Sequence, residues 1–142
     1  MAKSPRAVLH TARLADALLF WPVLALVIWG ELQPGVPNLF QDLSDKVLHF
    51  GAYFVLGAMA GGAVKRRGAA TWAVVGLIVL GAILEVIQAY VGRDMSLLDG
   101  LTNAAGAITG ASLARFAVEP LRRRWMDELP ENDALPSRSV EL

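Results

Sequence analysis

The sequence contains no cysteine, which excludes disulfide frameworks, thiolate catalysis and thiolate metal sites. Charge is scarce as well, because only 18% of the 142 residues are charged and the formal net charge is zero. The chain therefore lacks the basic field that nucleic-acid binding requires, and we expect no nucleic-acid partner. Only one of the two histidines lies within an apolar run, which argues against a zinc site.

The sequence is rich in apolar residues, at 55% of the chain with a mean hydropathy of +0.47. Crossing a hydrocarbon core of about 30 Å takes roughly 20 mostly apolar residues in a helix. Four runs approach this length, at 14–29, 47–64, 71–91 and 96–118. They predict an all-α fold, an integral membrane four-helix bundle formed by residues 14–118.

Lysine and arginine residues predict the orientation of the bundle, since short cytoplasmic loops accumulate them. They form three groups, at positions 3, 6 and 13, at 65–67, and at 115 and 122–124, whereas the opposite loops hold only Lys46 and Arg93. We therefore expect a multi-pass membrane protein with both termini in the cytoplasm. Residues 1–13 would be a cytoplasmic segment and residues 119–142 a short flexible cytoplasmic tail. The first run is predicted to stay uncleaved, because no small-x-small site follows it.

Polar side chains interrupt these runs, and the predicted topology brings them to one level in the outer half of the membrane. Helix two starts outside, helix three ends outside and helix four starts outside, so the polar residues near these ends converge. Glycines four apart further along, in the pairs 57/61 and 106/110, would bring the helices into contact beneath them. The predicted ligand-binding residues are Asp45, Lys46, His49, Tyr53, Glu85, Gln88, Arg93, Asp99 and Asn103.

The charges of this region do not balance, since four carboxylates face two cations. Protonation, a bound cation or exposure of Asp94 to water would resolve the surplus. A divalent cation is one expected cofactor, with Glu85, Asp99 and Asp45 as candidate ligands, and Glu85 or His49 is a candidate general base. Structural roles are the alternative for each residue: a cap formed by Ser96 with Asp99, hydrogen bonding between helices by the amides, and a core histidine.

Three segments together resemble the VanZ-like family: Asp45-Lys46-x-x-His49-Phe50-x-x-Tyr53-x-x-x-Gly57, then Glu85-x-x-Gln88, then Arg93-Asp94-x-Ser96-x-x-Asp99-x-x-x-Asn103-x-x-Gly106-x-x-x-Gly110. The resemblance extends over residues 14–118. It implies a small bacterial multi-pass membrane protein of the cell envelope. It also implies a link with antibiotic resistance, at a low level and to the glycopeptide teicoplanin, whose target is a cell-wall precursor outside the membrane.

Four functions are compatible with these residues. The first is binding of an anionic or lipid-linked envelope ligand by the polar residues, with lysine, arginine and histidine as donors. The second is an intramembrane enzyme acting on a phosphate or glycan bond of an envelope lipid, although no nucleophile motif is present. The third is a proton- or ion-coupled transporter in which Glu85 titrates. The fourth is a structural bundle or a scaffold for a membrane-protein partner, and the glycine faces also permit a homodimer.

Overall fold

The computed structural model describes residues 5–33, 41–64, 66–92, 95–121 and 124. Within these ranges the chain forms four α-helices and no strand, so the predicted all-α fold with four helices is confirmed. The helices are α1 (Pro5–Glu31), α2 (Gln41–Ala63), α3 (Arg67–Gln88) and α4 (Leu97–Leu113).

The first three helices begin earlier in the chain than their apolar runs do. Hydropathy marks only the apolar part of a helix, whereas helical hydrogen bonding continues into polar flanks. The α1 helix therefore includes most of the segment that precedes its apolar run. Most of the predicted flexible tail lies outside the described residues.

Residues 89–92 form a turn after α3, in which the amides of Tyr90 and Val91 donate to carbonyls in the last turn of that helix. Gly92 ends the turn with a φ of +83°, a conformation that glycine adopts without steric strain. The α4 helix begins directly after Ser96, whose hydroxyl accepts a hydrogen bond from the amide of Asp99. This is the predicted N-cap.

The α2 and α4 helices form the most extensive contact of the bundle, and α1 and α3 pack around this pair. Four glycines make it possible, because a Cβ at each would overlap the backbone of the facing helix. The pairs are Gly57 with Ala107, Gly61 with Ala111, Gly106 with Phe50, and Gly110 with Phe54. The prediction that these glycines bring two helices into contact is confirmed.

We call the end of the bundle where α1 and α3 finish and α2 and α4 begin the polar end. At the opposite end, α4 widens into a π-helical turn at Ala114–Val118, from which Arg115 donates to the carbonyl of Val64. An ion pair between Arg13 and Glu119 joins α1 to the helical residues that follow the π-helical turn. The core between the two ends contains Tyr53, Leu56, Leu77 and Ala107.

The outer surface of the bundle is apolar over much of its area. Among the described residues, two helices are long and apolar enough to cross a membrane, at Arg13–Glu31 and Gly68–Gln88, with mean hydropathies of 1.6 and 2.3. Only 6% of the first span and 28% of the second are buried, whereas a core helix of a soluble protein is mostly buried. Large side chains such as Trp21, Trp72 and Leu97 are more than two-thirds exposed.

Candidate functional site

The polar end holds the buried polar side chains of the bundle. All four helices contribute to it, because α1 and α3 reach it with their last turns and α2 and α4 with their first. The residues that are at most 7% exposed there are Glu31, His49, Glu85, Gln88, Asp99 and Asn103. The bundle thus buries a polar cluster at one end, while much of its outer surface is apolar.

His49 lies at the centre of this polar cluster and is 4% exposed. Its Nδ1 atom is 3.1 Å from Oδ1 of Asn103 and 3.3 Å from Oε1 of Glu31. Its Nε2 atom is 3.7 Å from Oδ2 of Asp45, one helical turn earlier on α2. Both Nδ1 neighbours are acceptors, so Nδ1 carries a hydrogen and donates it. The imidazole is therefore held in one orientation by residues from three helices.

Glu85 of α3 accepts a hydrogen bond from the N-cap residue of α4. In a capping box, the side chain three residues after the cap returns to the cap's own amide. Here the amide of Ser96 donates instead to Oε2 of Glu85 at 3.0 Å. The Asp99 carboxylate is thereby left for another partner, and its Oδ1 atom lies 3.3 Å from Nζ of Lys46.

The other carboxylate oxygen of Glu85 is buried and has no hydrogen-bond partner among the described residues. The same side chain is close enough to interact electrostatically with Asp99, Glu31 and His49. A buried oxygen in this position is a candidate proton acceptor or ligand atom, because burial without a partner is unfavourable unless another group binds there.

Gln88 and Tyr53, both predicted to bind ligand, have structural surroundings: Gln88 is the last residue of α3, and Tyr53 lies one helical turn deeper than His49 on α2. The Gln88 amide donates to the backbone carbonyl of Glu31 at 3.0 Å and so joins the ends of α3 and α1. The Tyr53 ring is fully buried in the core, with its hydroxyl beside Gly81. Gln88 therefore joins helix ends at the level of the cluster, and Tyr53 packs beneath it.

Glu31 is a member of the cluster that the sequence pattern did not indicate. It follows the first apolar run, 14–29, in the sequence, whereas the structure places it in the last turn of α1, 7% exposed and in contact with His49. A signal for it was present in the sequence, because Glu31 is an acid just after an apolar run. The helix formed by that run ends at the same level as the other polar residues.

Arg93 and Asp94 lie outside the described residues. Their formal charges are opposite, so together they leave the charge balance of the cluster unchanged. In the described part, Glu31, Asp45, Glu85 and Asp99 carry four negative charges against Lys46, which leaves three. An imidazolium at His49 would reduce this surplus to two. The cluster is acidic in either state.

A cavity of about 250 Å³ opens between α1 and α2 at the polar end. Glu31, Asp45 and His49 form its polar part, and Val27, Gly30, Leu48 and Ala52 form its apolar walls. A cavity with this lining accommodates a polar head group together with the start of an apolar chain.

Asp45, His49 and Asp99 each offer one metal-ligating atom, and these three atoms lie within 4.8 Å of one another. Of the three carboxylates predicted as metal ligands, the structure groups Asp45 and Asp99 with His49, whereas Glu85 binds the amide of Ser96. The arrangement is compatible with a divalent cation.

Comparison of the chain with models of protein families, with curated proteins and with solved structures found no match.

Proposed function

We propose that the chain is a four-helix membrane protein of the VanZ-like type, with its polar end facing the outside of a bacterial cytoplasmic membrane and both termini inside. The exposed apolar surface of α1 and α3 supports insertion into a bilayer, since water would leave this surface unfavourably hydrated. The basic residues near the opposite end support the orientation.

Single-cysteine labelling tests this topology without background, because the chain has no cysteine of its own. Two exposed positions at opposite ends suit the experiment, Gln33 after α1 and Arg66 before α3. In intact cells, a membrane-impermeant maleimide should label Gln33→Cys and not Arg66→Cys, and cell lysis should expose both. Labelling of Arg66→Cys before lysis would contradict the proposed orientation.

The function that we propose for the polar end is binding of the head group of a lipid-linked cell-envelope ligand. The cavity between α1 and α2 is the observation that carries this proposal. Its polar part, with Glu31, Asp45 and His49, suits hydroxyl or amine groups, and its apolar walls suit an acyl or prenyl chain. A ligand of this type would connect the chain to teicoplanin resistance through the precursors that the glycopeptide recognises.

Because the described cluster is acidic, the phosphate of such a ligand would bind through a divalent cation. Hard and borderline cations prefer carboxylate oxygens, and a bound cation would reverse the local sign of charge. Lys46, at the edge of the cluster, would supply a further donor to the phosphate.

Filling the cavity tests the binding function without removing a charge. Gly30 lines the cavity, and a Cβ there would meet no atom within 4 Å, so Gly30→Leu should fold and occupy the space of the ligand. We expect native mass spectrometry to show retained lipid on the parent protein and its loss from Gly30→Leu. Gly76→Leu is the matched control, since Gly76 of α3 also has open space at its Cβ. Equal lipid retention by all three proteins would contradict the proposal.

Hydrolysis of an envelope lipid is the second candidate, and the partnerless oxygen of Glu85 favours it. A buried carboxylate of this type could accept a proton from water as the water attacks a phosphate or glycan bond. The hydroxyl of the water would bond to phosphorus or to the anomeric carbon and the proton would pass to the leaving oxygen, so that the two products together contain all atoms of the substrate and of one water. Release of product from purified lipid-linked precursors distinguishes this activity from binding.

A further inference from the structure

We infer that Asp45, His49 and Asp99 form a binding site for one divalent transition-metal ion, with Glu31 and Asn103 orienting the histidine ligand. The inference deepens the proposed function and rests on it for the role of the ion, which would be to bind a phosphate in the cavity. The metal site itself can be tested without knowledge of the lipid.

The positions of the ligands on the helices favour such a site. Asp45 and His49 are four residues apart on α2 and therefore project from the same face, and Asp99 faces them from the first turn of α4. Two ligand atoms of one ion lie roughly 3 to 3.5 Å apart when each is about 2.1 Å from it. The observed separations, within 4.8 Å, require an inward movement of about 1 Å, which small side-chain rotations provide.

The surroundings of the histidine provide the second and independent argument. A histidine that binds a metal commonly donates its other ring N–H to a carboxylate or carbonyl oxygen, which fixes the tautomer. His49 does so here, since Nδ1 faces Oδ1 of Asn103 at 3.1 Å and Oε1 of Glu31 at 3.3 Å. With the hydrogen on Nδ1, Nε2 keeps a lone pair 3.7 Å from Oδ2 of Asp45, and a cation between these two atoms would bind both.

The charge of the site gives a third argument. Asp99 and Glu85 are each at least 93% buried, and a third carboxylate, that of Asp45, lies beside His49. Buried carboxylates attract a cation strongly because the local dielectric is low. Lys46 supplies one positive charge at present, with Nζ 3.3 Å from Oδ1 of Asp99. A metal ion would displace this ammonium group, which is more exposed than its partner and can move towards the cavity.

Displacement of Lys46 would couple the two ligands of the protein. The ion would hold phosphate oxygens on the cavity side, where Asp45 and His49 form part of the wall. The released ammonium group would then contact the same phosphate. Cation binding should therefore precede and strengthen head-group binding, and the head group should strengthen cation binding by the same factor.

The mixed ligand set points to Mn²⁺ or a related ion. Carboxylates suit Mg²⁺, Ca²⁺ and Mn²⁺, whereas imidazole suits first-row transition ions, and Mn²⁺ is common to both preferences. We expect Zn²⁺ to compete with Mn²⁺, as the general order of affinities predicts, and Mg²⁺ to compete weakly because it prefers an all-oxygen site.

The experiment is titration of the purified, metal-stripped protein in detergent with MnCl₂, followed by electron paramagnetic resonance of the free ion. The parent protein should bind one Mn²⁺ per chain. His49→Gln and Asp99→Asn should each weaken binding by at least about 100-fold, and Glu31→Gln by about 10- to 100-fold, the range typical of groups that orient a ligand. Lys46→Gln should strengthen binding by roughly tenfold, because it removes the competing cation.

Glu119→Gln is the control, since Glu119 is an acid at the opposite end of the bundle and should leave the Mn²⁺ affinity unchanged. Thermal unfolding of each variant in EDTA separates loss of the ligand from loss of the fold. The inference is overturned if the parent protein shows no saturable binding, or if Lys46→Gln and Glu31→Gln bind Mn²⁺ like the parent. If the protein retains lipid in EDTA but does not bind Mn²⁺, the metal site is overturned and the proposed head-group function stands. If the protein binds Mn²⁺ but retains no lipid, the proposed head-group function is overturned and the metal site stands.

Discussion

Replacing Gly110 by alanine should separate α2 from α4 and lower the free energy of unfolding by about 3 kcal/mol or more. A Cβ at this position would overlap the carbonyl of Phe54 and would lie 2.9 Å from the amide nitrogen of Ala58. Both obstacles are backbone atoms of a helix, which cannot rotate away as a side chain does. The whole helix would have to move, and the polar residues that α2 and α4 hold together would move with it. Thermal unfolding in detergent, followed by circular dichroism, measures the effect.

The matched control is Gly76→Ala on α3. Gly76 also lies inside a helix, but a Cβ there would meet no atom within 4 Å. Alanine has a higher helix propensity than glycine, so this variant should be as stable as the parent or more stable by about 0.5 to 1 kcal/mol. If Gly110→Ala unfolded at the same temperature as Gly76→Ala, the close α2–α4 contact would be wrong.

The fold could be predicted from the sequence to the level of four helices and one close helix pair. Apolar runs near the length of a membrane span indicated the helices, and glycines four apart indicated that α2 and α4 touch. Helix starts were less predictable, because the polar segments before the apolar runs of α1 and α2 are helical too. The packing order, with α1 beside α2 and α3 beside α4, depends on side-chain complementarity that a hydropathy pattern does not contain.

The convergence of His49, Glu85 and Asp99 followed from the helix directions alone. The helix directions did not predict which of these side chains would be in contact, because contacts depend on how each helix is rotated about its axis. The sequence indicated a cap at Ser96 with Asp99 as its return partner, but Glu85 takes that role from a different helix, and Asp99 turns to Lys46. An exchange of this kind between helices cannot be read from residue spacing. The same limit explains why Glu31 was missed, since its role depends on where α1 ends.

Glu85→Gln should increase stability while it impairs function, and this combination is the second large effect that we expect. The glutamine keeps an oxygen that accepts the Ser96 amide, so the cap of α4 survives. It removes one of four clustered negative charges, which lessens repulsion with Asp99 and Glu31. In the absence of divalent ions, the free energy of unfolding should rise by about 1 kcal/mol, because fewer like charges are then buried together.

The two candidate functions respond differently to the same substitution. If the protein hydrolyses an envelope lipid with Glu85 as the base, product formation should fall by about 10²- to 10⁴-fold while lipid retention is unchanged. If the protein only binds its ligand, the lost charge should weaken the affinity for cation and lipid together, and less than Asp99→Asn does, because Glu85 is outside the proposed metal ligands. A stability below that of the parent would contradict the expected gain in stability, since it would show that the charge of Glu85 holds the start of α4. Glu119→Gln, at the opposite end of the bundle, should change neither lipid retention nor product formation, which separates an effect of this carboxylate from the loss of any acid.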